Sequence, residues 1–188
     1  MKRFSSPGPD GISYIILIGG EEVLLTILSI LFQTFFNSAN LPTQWKTAHI
    51  IPVFKNGNRK EAENYRPVSL TSCVCKLMES CIKEEIWSFW SKRDLIKSSQ
   101  YGFIPHSSCT EQLLQYLDDV TSAVDKGDWV DVVYLDFKKA FNSVPHVRLL
   151  CKLSALGIKG TLLNWIRSFL YDKKEVVVVE QKKAMPSR

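Results

Sequence analysis

Two stretches of this chain carry an aspartate directly after Tyr-Leu, QYLDDV at 115–120 and VVYLDFKKAF at 132–141. Aspartates offered in that way are what a metal-dependent nucleotidyl transferase uses to hold its ions. Which of the two does chemistry depends on the elements that carry them. Ser108-x-x-Glu111 is a capping box and Lys126-Gly127 a stop signal, and between them Leu113, Leu117, Val120 and Val124 recur on one face. QYLDDV therefore lies inside a helix, with Asp118 and Asp119 on the side away from the Leu/Val stripe. Successive helical residues do not converge on one ion, so these two are surface carboxylates.

VDVVYLDF (130–137) is a continuous β-branched and aromatic run, too short for a helix and bounded by Gly127-Asp128 and Lys138-Lys139. It predicts a buried strand at the centre of a sheet. A carboxylate at the end of such a strand is costly to bury unless it meets a cation or a donor, so Asp136 calls for a partner. The alternative is that Asp136 caps the helical turn KKAF that follows.

The remaining elements follow from periodicity and turn chemistry. SSPGPDGIS opens the chain with a turn. Its Gly8-Pro9-Asp10-Gly11 lacks the Lys-Ser/Thr of a phosphate loop and does not follow a strand, which makes it structural. The apolar run from Ile12 to Phe36 is broken by Gly19-Gly20-Glu21-Glu22, and its uninterrupted part is about half the roughly 20 residues a bilayer requires. It reads as a buried helix from about Glu21 to Asn37, neither a membrane span nor a secretory signal. HIIPVF (49–54) and a segment around Pro67 to Leu70 read as a fingerlike hairpin whose tip, KNGNRKEAENYR, is basic. Met78, Cys81, Ile82, Ile86, Phe89 and Trp90 give residues 73–91 one apolar helical stripe, with the tryptophans in the core. VRLLCKLSALGI and TLLNWIRSFL are two further helices, and EVVVVE is a final strand.

With 188 residues, 45% of them hydrophobic, the chain is long enough for one globular domain or a domain and part of a second. The formal charge of +5 leans towards a polyanionic partner. Five cysteines without ladder spacing, and no His at ligand distance from Cys73 and Cys75, fit neither a disulfide framework nor a zinc site. A reducing compartment suits them, so the expected location is intracellular, nucleus or cytoplasm. His106 and His146 stand without a nearby nucleophile.

Read in order, SPGPDGIS, HIIPVFK, NYRPVSLTS, SQYGF, VVYLDFKKAFNSVPH and LGIKGTLLNWIRSFL resemble the first half of a LINE-type, non-LTR retrotransposon reverse transcriptase, from about Ser5 to Val179. The resemblance implies an α+β fold of the right-hand polymerase kind. Residues 1–128 would be fingers, and 129–188 the start of a palm that carries the first catalytic motif. It implies that Asp136 is a ligand of catalytic Mg²⁺, with the backbone carbonyl of Phe137 beside it, and that Phe141 is the aromatic that excludes a ribose 2′-OH. Core packing accounts for Phe141 equally well. Arg66 and Lys55 become candidates for the triphosphate, although the plain reading of Lys55 is a solvated loop lysine.

The implied partners are an RNA template, a DNA primer and deoxynucleoside triphosphates, with no membrane. Two departures from the family pattern stand out: Ile104 to Cys109 lacks the usual arginine, and Asn142 replaces the usual Asp. The second palm motif, an adjacent Asp pair on a hairpin, does not occur within these residues, so the expectation is a fragment inactive by itself. The alternatives are a non-catalytic nucleic-acid-binding remnant and a functionless genomic relic.

Overall fold

The structure, a computed structural model, describes residues 6–137 and 143–178. It is mixed α and β. Helix α1 (Tyr14–Gly19) and α2 (Glu21–Ser38) lead through the single turn α3 (Thr43–Lys46) into strand β1 (Thr47–Phe54). A short 3-10 turn (Ala62–Asn64) precedes β2 (Tyr65–Leu70), and α4 (Cys73–Ser91) and α5 (Cys109–Asp125) follow. The last elements are α6 (His146–Ala155), α7 (Gly160–Leu170) and β3 (Lys174–Val177). β1 pairs antiparallel with β2, His49 opposite Leu70 through Phe54 opposite Tyr65. β3 lies parallel on the other edge of β1, Thr47 opposite Lys174, and gives the order β2-β1-β3. The terminal strand thus joins the same sheet as the expected hairpin.

Two compact units divide the chain, residues 1–85 with 146–188 and residues 86–145. The first holds the core, in which Leu41, Trp45, Val74, Cys75, Met78 and Trp165 are buried together. Trp45 takes Phe35 and Phe32 edge-on at 5.1 and 6.2 Å, and Trp165 stacks on Phe169 at 5.3 Å. In the second unit the described residues include no buried apolar side chain.

Helical boundaries match the sequence reading closely, because apolar spacing and caps are local signals. The Ser108 hydroxyl accepts from the Glu111 N–H at 3.1 Å, and the Glu111 carboxylate accepts from the Ser108 N–H at 2.9 Å. Gly127, at φ +82°, ends α5 as the stop signal requires.

Three burial expectations are corrected. The segment from Ile12 to Phe36 forms two helices in which only Tyr14 is buried: one side of α2, with Leu28, Leu31, Phe32, Phe35 and Phe36, packs half-buried on the core, while Val23, Ile27 and Ile30 face outward. The Leu113/Leu117/Val124 stripe of α5 is exposed too, because no described element covers it. In α4 the burial is concentrated at Cys73 to Met78. Cys81 is exposed, and Trp87 and Trp90 are only half-buried.

Residues 129–137 are not a strand. They are solvent-exposed, Leu135 at 87%, with no hydrogen-bonded neighbour strand among the described residues. β-propensity describes a fit to a pleated surface that other strands must supply. The turn KKAF (138–141) lies outside the described residues.

The opening turn is confirmed as structural. The Gly11 N–H donates to the Gly8 carbonyl at 3.0 Å, and the Ile12 N–H to Asp10 Oδ1 at 3.2 Å. Gly8 lies directly on the backbone that leads into α4: a Cβ there would sit 2.5 Å from the Thr71 carbonyl carbon and 2.6 Å from the Ser72 nitrogen. Gly8→Ala is therefore expected to lower unfolding stability by about 1–3 kcal/mol in urea melts, because backbone has to move. Gly19→Ala, whose added methyl meets nothing within 4 Å, should leave stability close to unchanged.

Candidate nucleic-acid and metal site

The hairpin tip carries Lys55, Arg59 and Lys60 on a loop closed by hydrogen bonds. Between β1 and β2 the loop is closed by its own side chains: Asn64 Nδ2 donates to the Asn58 carbonyl at 2.9 Å and to Glu61 Oε2 at 3.1 Å, and Asn58 Oδ1 accepts from the Lys60 N–H at 3.0 Å. The Tyr65 hydroxyl reaches over to the Arg59 carbonyl at 2.9 Å. Gly57, at φ +85°, makes the bend, and a Cβ on it would meet Asn64 Nδ2 at 2.8 Å. What reads in sequence as a polar loop is a braced tip.

Strand register decides where its charges point. Val53 faces Arg66 across the ladder, and the Lys55 N–H donates to the Asn64 carbonyl at 2.9 Å, which extends the ladder by a pair. With alternate residues on opposite faces, Lys55 and Arg66 emerge on the same face as diagonal neighbours, about 7 Å apart by ordinary strand spacing. Both are exposed. The structure thus brings these two sequence candidates together. Arg59 was not singled out by the sequence reading; its guanidinium carbon lies 5.0 Å from the centroid of Phe54, on the opposite face, where Phe54 meets Tyr65 edge-on at 5.5 Å. Only the cross-strand aromatic pair Phe54/Tyr65 could have signalled that perch.

Asp136 and Phe137 belong to the other unit. Asp136 is exposed rather than buried at a strand end, and Phe137 is 81% exposed. The expected demand for a buried partner disappears, since water solvates the carboxylate. An aspartate oxygen and a backbone carbonyl are the hard donors magnesium takes. Among the described residues, however, no three His, Cys, Asp or Glu side chains are grouped to hold an ion. Asp136 and Phe137 fit magnesium in donor type and do not by themselves make a site. Phe141 lies outside the described residues. Asp118 and Asp119 are exposed on α5 as expected, Asp119 accepting from Gln115 Nε2 at 3.0 Å.

Near the start of β3 lies a polar cluster that the sequence gave no reason to assemble. Cys75 donates its S–H to Glu79 Oε1 at 3.2 Å on α4, and Lys173, just before β3, lies within electrostatic reach of both. The Lys173 ammonium sits 3.4 Å from the centroid of Phe169. Burial pushes the Glu79 carboxyl up, against the opposing pull of its Cys75 hydrogen bond and of Lys173 and Lys76. Burial also lowers the Lys173 ammonium and, reinforced by Glu79, raises the Cys75 thiol far beyond reactivity.

With the geometry in place, the kinship is clear. Residues 54–187 match the reverse transcriptase (RNA-dependent DNA polymerase) family. The chain belongs to that family, in its LINE-type, non-LTR branch. It is 28% identical over 182 residues to a probable RNA-directed DNA polymerase from transposon BS of Drosophila melanogaster, covering 96% of this chain and 20% of that one. Another fly relative, a probable RNA-directed DNA polymerase from transposon X-element, is 27% identical over 92% of this chain and 19% of its own length. The RNA-directed DNA polymerase from mobile element jockey is 28% identical over 83% of this chain and 17% of its own. The chain thus spans about a fifth of the length of the curated relatives it matches.

The Glu79 carboxyl, raised by burial, favours folding when protonated; that contribution is complete below its ordinary value of 4.5 and is lost as pH rises through the elevated folded value. Glu79→Gln, which cannot ionise, should gain stability relative to the parent as pH increases. Paired urea melts at pH 4 and pH 8 should show the larger advantage at pH 8; an advantage larger at pH 4 would contradict the assigned direction.

Proposed function

We propose that these residues form the fingers and the beginning of the palm of an RNA-directed DNA polymerase, within a right-hand architecture divided near residue 128. Lys55 and Arg66, side by side on one face of a braced hairpin inside the matched region, are the observation that carries this reading. An exposed guanidinium beside an ammonium suits a triphosphate: Arg makes bidentate contacts and Lys acts as a point charge. The braced tip fixes the backbone register of the pair, so the backbone there needs little ordering when the phosphates arrive.

Asp136 and the carbonyl of Phe137 are the groups that would hold magnesium. Bound there with further carboxylates, the metal would stabilise charge on the attacking and leaving oxygens of phosphoryl transfer. Residues 130–137 would take strand form once a neighbouring strand pairs with them, and Phe141 would then stand one turn beyond, against the sugar. The working partners of the whole enzyme would be an RNA template, a DNA primer and deoxynucleoside triphosphates.

The alternative is a nucleic-acid-binding remnant without catalysis. Both readings share the cationic hairpin and differ in chemistry.

The purified 188-residue chain should give no primer extension with magnesium and deoxynucleotides, because one carboxylate leaves a two-metal site incomplete. It should bind an RNA–DNA hybrid by fluorescence anisotropy with affinity that falls steeply with salt. Lys55→Ala and Arg66→Ala should each reduce the log–log salt slope by about 1. A flat salt response would count against the cationic face.

In a chimera completed with the downstream half of an active relative, Asp136→Asn should abolish extension and Asp118→Asn with Asp119→Asn should change it little. Phe141→Ala should admit ribonucleotides. Extension that survives Asp136→Asn would refute the metal assignment, and unchanged sugar selectivity would refute the gate.

A further inference from the structure

The charge of this chain is divided unevenly. Residues 86–145 carry eight Asp/Glu against six Lys/Arg, a formal −2, while the remainder carries +7. Phosphate recognition, and with it the hairpin cations, belongs to the basic remainder. The acidic unit has a different surface. A groove of about 350 Å³ runs between the last turns of α4 and the loop after it, lined by Trp87, Asp94, Lys97, Tyr101 and Ile104 among others. A second groove, of about 440 Å³, runs along the first turns of α5 and is lined by Tyr101, Glu111, Leu114, Gln115 and Asp118. Tyr101 lines both, and the two adjacent grooves together are called the channel.

Its chemistry is that of a peptide site. Three carboxylates line the channel against one ammonium, and between them lie aromatic and aliphatic side chains. A nucleic-acid strand would bring its phosphates against those carboxylates and be repelled. A polypeptide with lysine or arginine set between apolar residues complements both features, the cations meeting Asp94, Glu111 and Asp118 and the apolar side chains meeting Leu114 and the rings. The loop between α4 and α5 also holds three non-glycine residues in the left-handed region, Asp94, Phe103 and His106, at φ of 51°, 64° and 64°. Backbone held in that region costs free energy, most of all for an aromatic residue, and is concentrated at ligand sites.

We propose that this channel is a docking site for a basic, apolar-punctuated polypeptide segment. The inference does not depend on polymerase activity, because the channel residues are not among those assigned to phosphate or metal.

The test uses the full chain and three short fluorescent peptides: one of lysine, leucine and serine, its glutamate-for-lysine counterpart, and a leucine-free lysine–serine control. The first should bind at least about tenfold more tightly than either control, a difference of about 1.4 kcal/mol. Asp94→Asn with Asp118→Asn should weaken it about tenfold without moving Tm, since asparagine tolerates the left-handed conformation at 94 and Asp118 is exposed. Glu111 is left intact because its carboxylate caps α5. Leu114→Ser should weaken the same peptide and leave the leucine-free control unchanged.

Equal binding of the leucine-free peptide would reduce the effect to bulk charge and overturn the proposal, as would unchanged binding in the double variant. Single-stranded oligouridylate binding that is lost on Tyr101→Ala, with peptide binding retained, would assign the channel to nucleic acid instead.

Discussion

The larger unit is organised about the first two turns of α4. Ser72, Cys73 and Cys75 are fully buried and Met78 nearly so, and Val74, Cys75 and Met78 share one core with Leu41, Trp45 and Trp165. Such burial forces the backbone polar groups there to find partners inside the protein. The Ser72 hydroxyl accepts from the Cys75 N–H at 3.2 Å, and the opening turn lies across the same point with room for glycine alone at position 8. Small side chains are required for a physical reason: the turn, the strand end and the helix start approach within van der Waals contact of one another. At position 8 a side chain larger than hydrogen would displace the backbone of Thr71 and Ser72.

From that anchor the polar cluster extends to the sheet. Glu79 and Lys173 are two groups of opposite sign, each disfavoured by burial and partly compensated by the other. Replacing one of such a pair leaves the other less compensated, so the worth of each depends on its neighbour's protonation. Lys46 and Asp172 add an ion pair at 3.8 Å whose acid is mostly exposed, and such a pair contributes little. What holds β3 beside β1 is chiefly the ladder itself, together with the apolar seat of α7. The charged groups adjust that arrangement and make it sensitive to pH.

Function is distributed in keeping with local charge. The hairpin carries its cations on a tip whose backbone is braced by its own side chains. The smaller unit instead leaves apolar side chains and carboxylates open to water. Without buried apolar residues among those described, it draws little stabilisation from a core of its own.

The sequence by itself determined the local elements. Periodicity and caps gave α4, α5 and α7 within a residue or two, because those signals act within one or two helical turns. The helical setting of Asp118 and Asp119 followed from the same facts and separated them from Asp136. Motif order pointed to the family. Only the tertiary structure decided what each element meets: that α2 and α5 keep apolar faces in water, that Lys55 and Arg66 share a face, that Arg59 sits over Phe54, and that Glu79 and Lys173 are neighbours. The strand expected at 130–137 marks the boundary between the two kinds of knowledge. Its β-branched run expresses a local preference, but a strand exists through hydrogen bonds to a neighbour distant in sequence, and no spacing within VDVVYLDF can supply that neighbour.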